Sequence, residues 1–296
     1  MTRSTDIVLT ALAPAVWGSS YLVTTEFLPD GYPLTAAILR ALPAGLILLL
    51  MVRHLPAGRW WGKAFVLGAF NFSIFWTLLF VAAYRLPGGV AATVGAVQPL
   101  VVLVLARSLL GTPILVLSVF AALAGAGGVA LVILTPDATL DPIGIAAGLG
   151  GAVSMAFGTV LSRKWQTRVP LISAAAWQLT AGGLLLAPAA FLFEPALPSL
   201  TAENLLGFAY LGLIGGALTY VIWFRGLRRL EPSVASMLGL LSPLTAVVLG
   251  WSALDQGLGV LQIAGAGIVL ASVWLSQRAA RRPAPAAVPP HPVPQT

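Results

Sequence analysis

"GAVQPLVVLVL", Gly95 to Leu105, and "GLLSPLTAVVL", Gly239 to Leu249, are nearly one phrase written twice, 144 residues apart. Each copy sets a proline inside an apolar run long enough to be a membrane helix. A soluble domain cannot explain such runs here. Only 8% of the 296 residues are charged and 58% are hydrophobic, whereas globular chains carry about 25% charged residues to cover their surface. The chain therefore reads as an integral membrane protein. Its net charge of +7 does not mark a nucleic-acid binder, because the basic residues are scattered at segment ends and form no basic face. With no cysteine, disulfides and thiolate metal sites are excluded.

Working outward from the two phrases, a span needs roughly 20 apolar residues at 1.5 Å rise each. Cutting at charged and Pro/Gly-rich breaks gives ten candidates: about 7–25, 33–52, 63–84, 88–106, 113–134, 142–162, 171–192, 205–224, 232–251 and 257–276. The first begins after a short basic start, and its apolar run continues past any cleavable signal core, so it reads as a span. The proline-rich segment 279–296 reads as a disordered cytoplasmic tail.

Charge supports that count. With a cytoplasmic N-terminus and ten crossings, Arg3, Arg53, Arg59, Lys63, Arg107, Arg163, Lys164, Arg168, Arg225, Arg228, Arg229, Arg278, Arg281 and Arg282 all fall on the cytoplasmic side. Arg85 alone falls on the far side, and Arg40 lies within the second span. Lys/Arg bias in short loops sets orientation. Both termini are expected in the cytoplasm of a bacterial inner membrane.

The 144-residue offset also pairs Leu86 with Leu230, Val90 with Val234, Ala91 with Ala235 and Val104 with Val248. An offset of 140 aligns "GAGGVAL" (Gly125 to Leu131) with "GAGIVLA" (Gly265 to Ala271), and Trp17-Gly18-Ser19 with Phe157-Gly158-Thr159. Several matches in one order point to two five-span units, residues 1–135 and 136–278. Five is odd, so the second unit enters the membrane from the opposite side. The expected fold is thus all-α: ten transmembrane helices as two inverted five-helix repeats around a central cavity, an arrangement suited to alternating access. The prolines then act as hinges. Pro99 and Pro243 lack an N–H and clash with the carbonyls of Gly95 and Gly239, so both helices are expected to kink or flex at mid-membrane.

Ten spans, the repeated G-x-x-x-P-L, "WGSSY" in the first span, the arginine of "AAILRALPAGLILLL" and "GAG" in the fifth and tenth spans resemble the drug/metabolite transporter superfamily. Within it the chain resembles the EamA-type exporters, and most of all the YddG-type exporters of aromatic and other amino acids. The resemblance covers roughly residues 7–277. It implies a bundle whose first, third, fourth, sixth, eighth and ninth helices enclose a cavity, and export of amino acids or related metabolites. Small multidrug members of the superfamily carry a glutamate inside the first helix as a proton site. The corresponding stretch here, "ALAPAVWGSSYLVTT", has none.

Ionisable groups inside a bilayer usually mark function. Every carboxylate here sits in a loop or at a span end, and His54 and His291 lie outside the spans. No buried proton-coupling carboxylate is expected, with Glu26 the weak point. Arg40 could grip a substrate carboxylate with its planar fork. Its helix is peripheral in the resembled architecture, which favours a structural tie to polar groups or carbonyls.

An uncharged cavity must recognise substrate with aromatic faces, hydroxyls, amides and broken-helix backbone. The candidate substrate-binding residues are Trp17, Ser20 and Tyr21 in the first span, and Asn71, Trp76, Thr77 and Phe80 in the third. Gln98 and Ser242 precede the two prolines. Ser154, Met155 and Thr159 come from the sixth span, and Tyr220 and Trp223 from the eighth. Lipid-facing or interfacial packing is the alternative for each, and Trp60, Trp61 and Trp251 read as belt residues. The glycine pairs Gly125/Gly128 and Gly182/Gly183 read as close helix contacts.

No cofactor or metal is expected. The expected partners are a small-molecule substrate and the lipid bilayer, with no nucleic acid, and the expected unit is a monomer. An intramembrane enzyme would need embedded metal ligands or a nucleophile with its base, and the sequence offers no such constellation. Export of drugs or other small metabolites and a channel-like facilitator remain the alternative functions. Nucleotide sugars would want cavity Lys or Arg for their phosphates, and none is expected there.

Overall fold

The computed structural model of the chain describes residues 2–86, 94–133, 141–165, 169–253 and 259–280. Every regular element among them is helical: α1 (Arg3–Phe27), α2 (Pro33–Val52), α3 (Trp60–Gly68), π1 (Ala69–Ser73), α4 (Ile74–Arg85), α5 (Gln98–Leu110), α6 (Val116–Ile133), α7 (Pro142–Trp165), α8 (Leu171–Phe193), α9 (Ala202–Ala209), π2 (Tyr210–Leu218), α10 (Thr219–Arg229), α11 (Pro232–Leu238), α12 (Leu241–Ala253) and α13 (Val260–Ala279). π1 continues α3 into α4, and π2 continues α9 into α10. Eight helices among the described residues are long and apolar enough to cross a membrane, and Gln98–Leu110 and Val116–Val132 are shorter apolar helices. Large apolar side chains cover the outside, Phe191 at 88% exposure and Val116 at 87%. In water that surface would aggregate, and in lipid it is the surface required.

The helices pack in a defined set of neighbours. α2 lies along α8, and α6 along α13. α1 packs against α12 and against α10 and π2, while α7 packs against α5 and against α4 and π1. Small residues set the closest approaches. A Cβ on Gly128 would stand 3.0 Å from the carbonyl oxygen of Gly265, and one on Gly183 would stand 2.8 Å from Leu42 Cβ. With lipid on the outside, such close van der Waals contact supplies much of the helix association. α2 is also pinned end-on. The Glu194 carboxylate at the end of α8 accepts the Leu34 N–H at 2.5 Å and the Thr35 N–H at 2.8 Å, where the helix N-terminus favours an anion.

At the repeated prolines the helix ladder is broken. The helix is interrupted at Ala96–Val97 and again at Gly239–Leu240. Tight i+3 bonds bridge each gap, from the N–H of Leu100 to the Val97 oxygen at 3.0 Å and from the N–H of Ser242 to the Gly239 oxygen at 3.1 Å. Pro99 and Pro243 sit in the first turn of α5 and α12. There a missing N–H costs nothing, because first-turn donors have no helical partner. The ring therefore starts the second half of a broken helix; it does not bend a continuous one. Val90 and Ala91 lie outside the described residues.

Candidate functional site

Between these helices lies a cavity of about 460 Å³, within the range of ordinary small-molecule sites. Its wall along α1 is the stripe Trp17, Ser20, Thr24 and Leu28, spaced by three or four residues as one helix face requires. None of the described residues before Trp17 lines it. Ala36, Ala37 and Arg40 form the α2 wall; Phe75, Trp76, Leu79 and Phe80 form the α4 wall. On α7 the stripe Gly148, Gly151, Ala152 and Met155 is small-sided, which makes the room. Both helix breaks face the cavity, through Gly95, Ala96 and Gln98 on one side and Gly239, Leu240, Ser242 and Pro243 on the other.

The mouth is formed by the connection from α1 to α2, with Pro29, Asp30, Gly31, Tyr32 and Pro33 in its rim. The opposite end of α1, about 33 Å away at 1.5 Å per residue, is closed by ionic and hydrogen bonds. Asp6 Oδ1 meets Arg225 Nη2 at 2.6 Å and Arg229 Nη1 at 3.2 Å. Arg163 donates to the Leu227 carbonyl at 3.1 Å, and Arg228 to the Val169 carbonyl at 3.0 Å.

An aromatic cluster floors the cavity. The Trp17 ring lies 4.9 Å from Tyr220 and 5.2 Å from Trp223, and Phe72 lies 4.8 Å from Tyr220 and 5.3 Å from Trp76. The Gly215 carbonyl, inside π2, organises its polar side. That oxygen accepts Thr219 Oγ1 at 2.7 Å, Trp17 Nε1 at 3.2 Å and Arg40 Nη2 at 2.9 Å. The Arg40 guanidinium also lies 5.6 Å from the Trp76 ring centroid. π-Helical turns recur where backbone groups are needed for something other than the helix ladder.

Of the residues singled out from sequence, Trp17, Ser20, Trp76, Phe80, Gln98, Met155, Tyr220, Trp223 and Ser242 line the cavity, as do Gly95, Gly239 and Pro243. Four others do not. Asn71 is buried in π1, where its amide donates to Gln178 Oε1 at 2.9 Å and to Ser162 Oγ at 3.2 Å. Ser154 is spent on the Phe70 carbonyl at 2.9 Å. Thr159 is wholly buried within α7, with no hydroxyl partner among the described residues. Thr77 is half-buried away from the cavity. Their helices do border the cavity, but these residues lie on the wrong face or, at Asn71, where the π turn resets the register. Pro99 is buried beside Ser118 and Ser233. The side chain of Tyr21 lies outside the described residues.

Two charged residues outside the candidate set line the cavity: Arg40, for which the sequence favours a structural tie on a peripheral helix, and Asp30, which reaches the rim from its loop. For Arg40 the signal was present: a cation within a span marks function by default. For Asp30 a loop position gave no signal.

The EamA-like transporter family matches the chain twice, over residues 5–134 and 142–277. Protein PecM of Dickeya dadantii is 45% identical over 267 residues, covering 90% of each chain. The uncharacterized inner membrane transporter YedA of Escherichia coli K12 is 28% identical, covering 88% of this chain and 86% of its own. One solved crystal structure superposes with a TM-score of 0.81 over 95% of this chain and 100% of its own. At 21% identity it speaks to fold alone. A membrane-spanning helical bundle that matches one family model along both halves belongs to that family: this chain is a multi-pass membrane protein of the EamA-like transporter family, of the drug/metabolite type.

Proposed function

We propose that the chain exports amino acids, aromatic or of a broad neutral range, and related metabolites by alternating access. The observation that carries this reading is the cavity. It is bordered by two broken helices, open at the α1–α2 connection and closed by Asp6, Arg225 and Arg229 at the other end. A cavity between two paired helix breaks, tied at one end, fits one of the two states of a carrier built from inverted repeats. Aromatic rings around a few hydrogen-bonding groups suit flat, amphipathic cargo.

The ten-span, inverted-repeat reading draws support from packing and offset. α2 faces α8 and α6 faces α13, each across from its repeat counterpart; α1 against α12 is echoed by α7 against α5. The division at residues 135 and 136 is supported by the two successive family matches. The Lys/Arg bias supports cytoplasmic termini in a bacterial inner membrane, and on that reading the cavity mouth faces outside.

Proteoliposomes loaded with unlabelled phenylalanine, tryptophan or leucine provide the test. Saturable counterflow of the labelled amino acid is expected. Flux that does not saturate supports a channel, and counterflow only with hydrophobic drugs moves the cargo to that class; either result overturns the reading.

A further inference from the structure

We propose that the end of the bundle opposite the cavity mouth holds a binding site for the headgroup of an anionic phospholipid, built on Arg59 and Lys63 at the start of α3 and set between Trp60 and Trp165. Arg59 caps α3, and its carbonyl accepts the Lys63 N–H at 3.2 Å. The two cations therefore stand one turn apart on one helix face. Lys63 Nζ lies 5.0 Å from the Trp60 ring centroid and 5.5 Å from that of Trp165, the last residue of α7. The Trp60 ring lies 5.7 Å from Trp177 of α8, and Trp177 lies 5.8 Å from His54, which follows the exposed Arg53. Lys164, also exposed, precedes Trp165. The site bridges α3 and α7, one from each of the two family matches.

No acid answers these charges. The nine side-chain carboxylates of the chain include none between residues 31 and 136 and none between 142 and 193, so α2, α3, α7 and α8 carry none. At this end of the bundle Asp6 is taken by Arg225 and Arg229, and Glu231 acts on Arg163. Like charges one turn apart repel, and an indole face attracts an ammonium without neutralising it. An anion placed between Arg59 and Lys63 relieves that repulsion. The surface beside them is apolar: on α3, Trp61 is 48% exposed, Phe65 37% and Val66 38%. A soluble anion has no use for such a surface. A phospholipid lays its chains along it while its phosphate meets the cations, with the tryptophans at headgroup depth and the Lys63 stem reaching past them.

Native mass spectrometry of the full-length chain tests the site, with dioleoylphosphatidylglycerol and dioleoylphosphatidylcholine titrated into the detergent-solubilised protein. The two lipids share chains and phosphate and differ in net charge. Each cation at an anionic headgroup is worth about fivefold in affinity, so the anionic lipid should bind about twentyfold more tightly. Lys63→Gln should lower that preference to about fourfold, and Lys63→Gln together with Arg59→Gln to within about twofold. Should the double variant fail to give monodisperse protein, Arg59→Gln alone, at an exposed position, carries the test with the same expectation of about fourfold. Arg278→Gln is the control. That cation also lies on an indole, 4.5 Å from the Trp274 ring centroid, but on α13, and its loss should leave the preference unchanged. Equal binding of the two lipids by the unaltered chain overturns the site. A preference that survives the α3 substitutions, or that falls as far in Arg278→Gln, overturns it too, since the preference would then belong to the general charge of the chain.

Discussion

Asn71 and Gly215 stand 144 residues apart, the offset of Pro99 and Pro243, and each lies inside a π-helical segment that interrupts an apolar helix. At each position the widened turn carries a polar junction. The Asn71 amide reaches Ser162 and Gln178, and the Gly215 carbonyl gathers Trp17, Arg40 and Thr219. One junction joins side chains sealed inside the protein, while the other gathers Trp17 and Arg40, which line the cavity. The two should therefore fail in different ways.

Substituting Asn71→Ala removes the sealed junction and leaves Gln178 and Ser162 short of a partner. The expected cost is about 1–2 kcal/mol, read as a lower melting temperature in detergent. Because Asn71 does not touch the cavity, the KM for any transported substrate should stay within twofold. A KM rise without loss of stability would place Asn71 at the substrate after all.

The second junction depends on a glycine. A Cβ on Gly216 would stand 2.7 Å from the Arg40 carbonyl and 3.1 Å from Ala44 Cβ, forcing π2 away from α2. Gly216→Ala should cost about 1–3 kcal/mol through overpacking and loosen the Arg40–Gly215 bond. Stability and substrate affinity should therefore fall together, where Asn71→Ala lowers stability alone. Melting curves and the KM for counterflow distinguish the two variants.

Trp17 offers a finer separation of ring from N–H. Its Nε1 donates to Thr219 at 2.9 Å and to Gly215 at 3.2 Å, while its ring packs on Tyr220 and Trp223. Trp17→Phe keeps most of the stacking face and loses the donor, so affinity for aromatic cargo should drop about threefold to tenfold. Trp17→Ala loses both and should drop further, the difference being worth about 0.5–1.5 kcal/mol for the aromatic contact. Isothermal titration of both variants checks the order; an unchanged affinity in Trp17→Ala would remove that ring from the site.

What the sequence makes legible follows the periodicities that lipid enforces. Apolar runs reveal their helices because every lipid-facing residue must be apolar, and the paired Gly-x-x-x-Pro phrases locate two real interruptions. The π turns are invisible, because "AFNFS" and "YLGLIGGAL" read as ordinary apolar helix. Each such turn shifts which residues face inward, and Asn71 is the casualty. At Thr159 and Ser154 a polar residue type suggests a cavity role, but type does not state a face. That Arg40 lines the cavity is not readable from its helix's peripheral place in a related architecture.

The end opposite the cavity mouth supplies the last prediction. Asp6, on the first turn of α1, binds Arg225 and Arg229, one helical turn apart on α10. Asp6 and Arg225 are largely shielded from solvent, with side-chain exposures of 11% and 18%. Replacing Asp6 with Asn removes the anion and leaves two like charges facing each other at i and i+4. Weakening that closure by about 1.4 kcal/mol changes the ratio of the two states tenfold. The chain has no cysteine of its own, so Gln98→Cys gives a single reporter in the cavity. A membrane-impermeant maleimide added from the mouth side should label it readily when Asp6 is intact. In Asp6→Asn the labelling rate should fall as the mouth closes and the other end opens, by about twofold if the open state starts tenfold favoured and by at most tenfold. Equal rates in both backgrounds would mean that the ion cluster does not hold the far end shut, and that closure lies with the Arg163 and Arg228 contacts to backbone carbonyls.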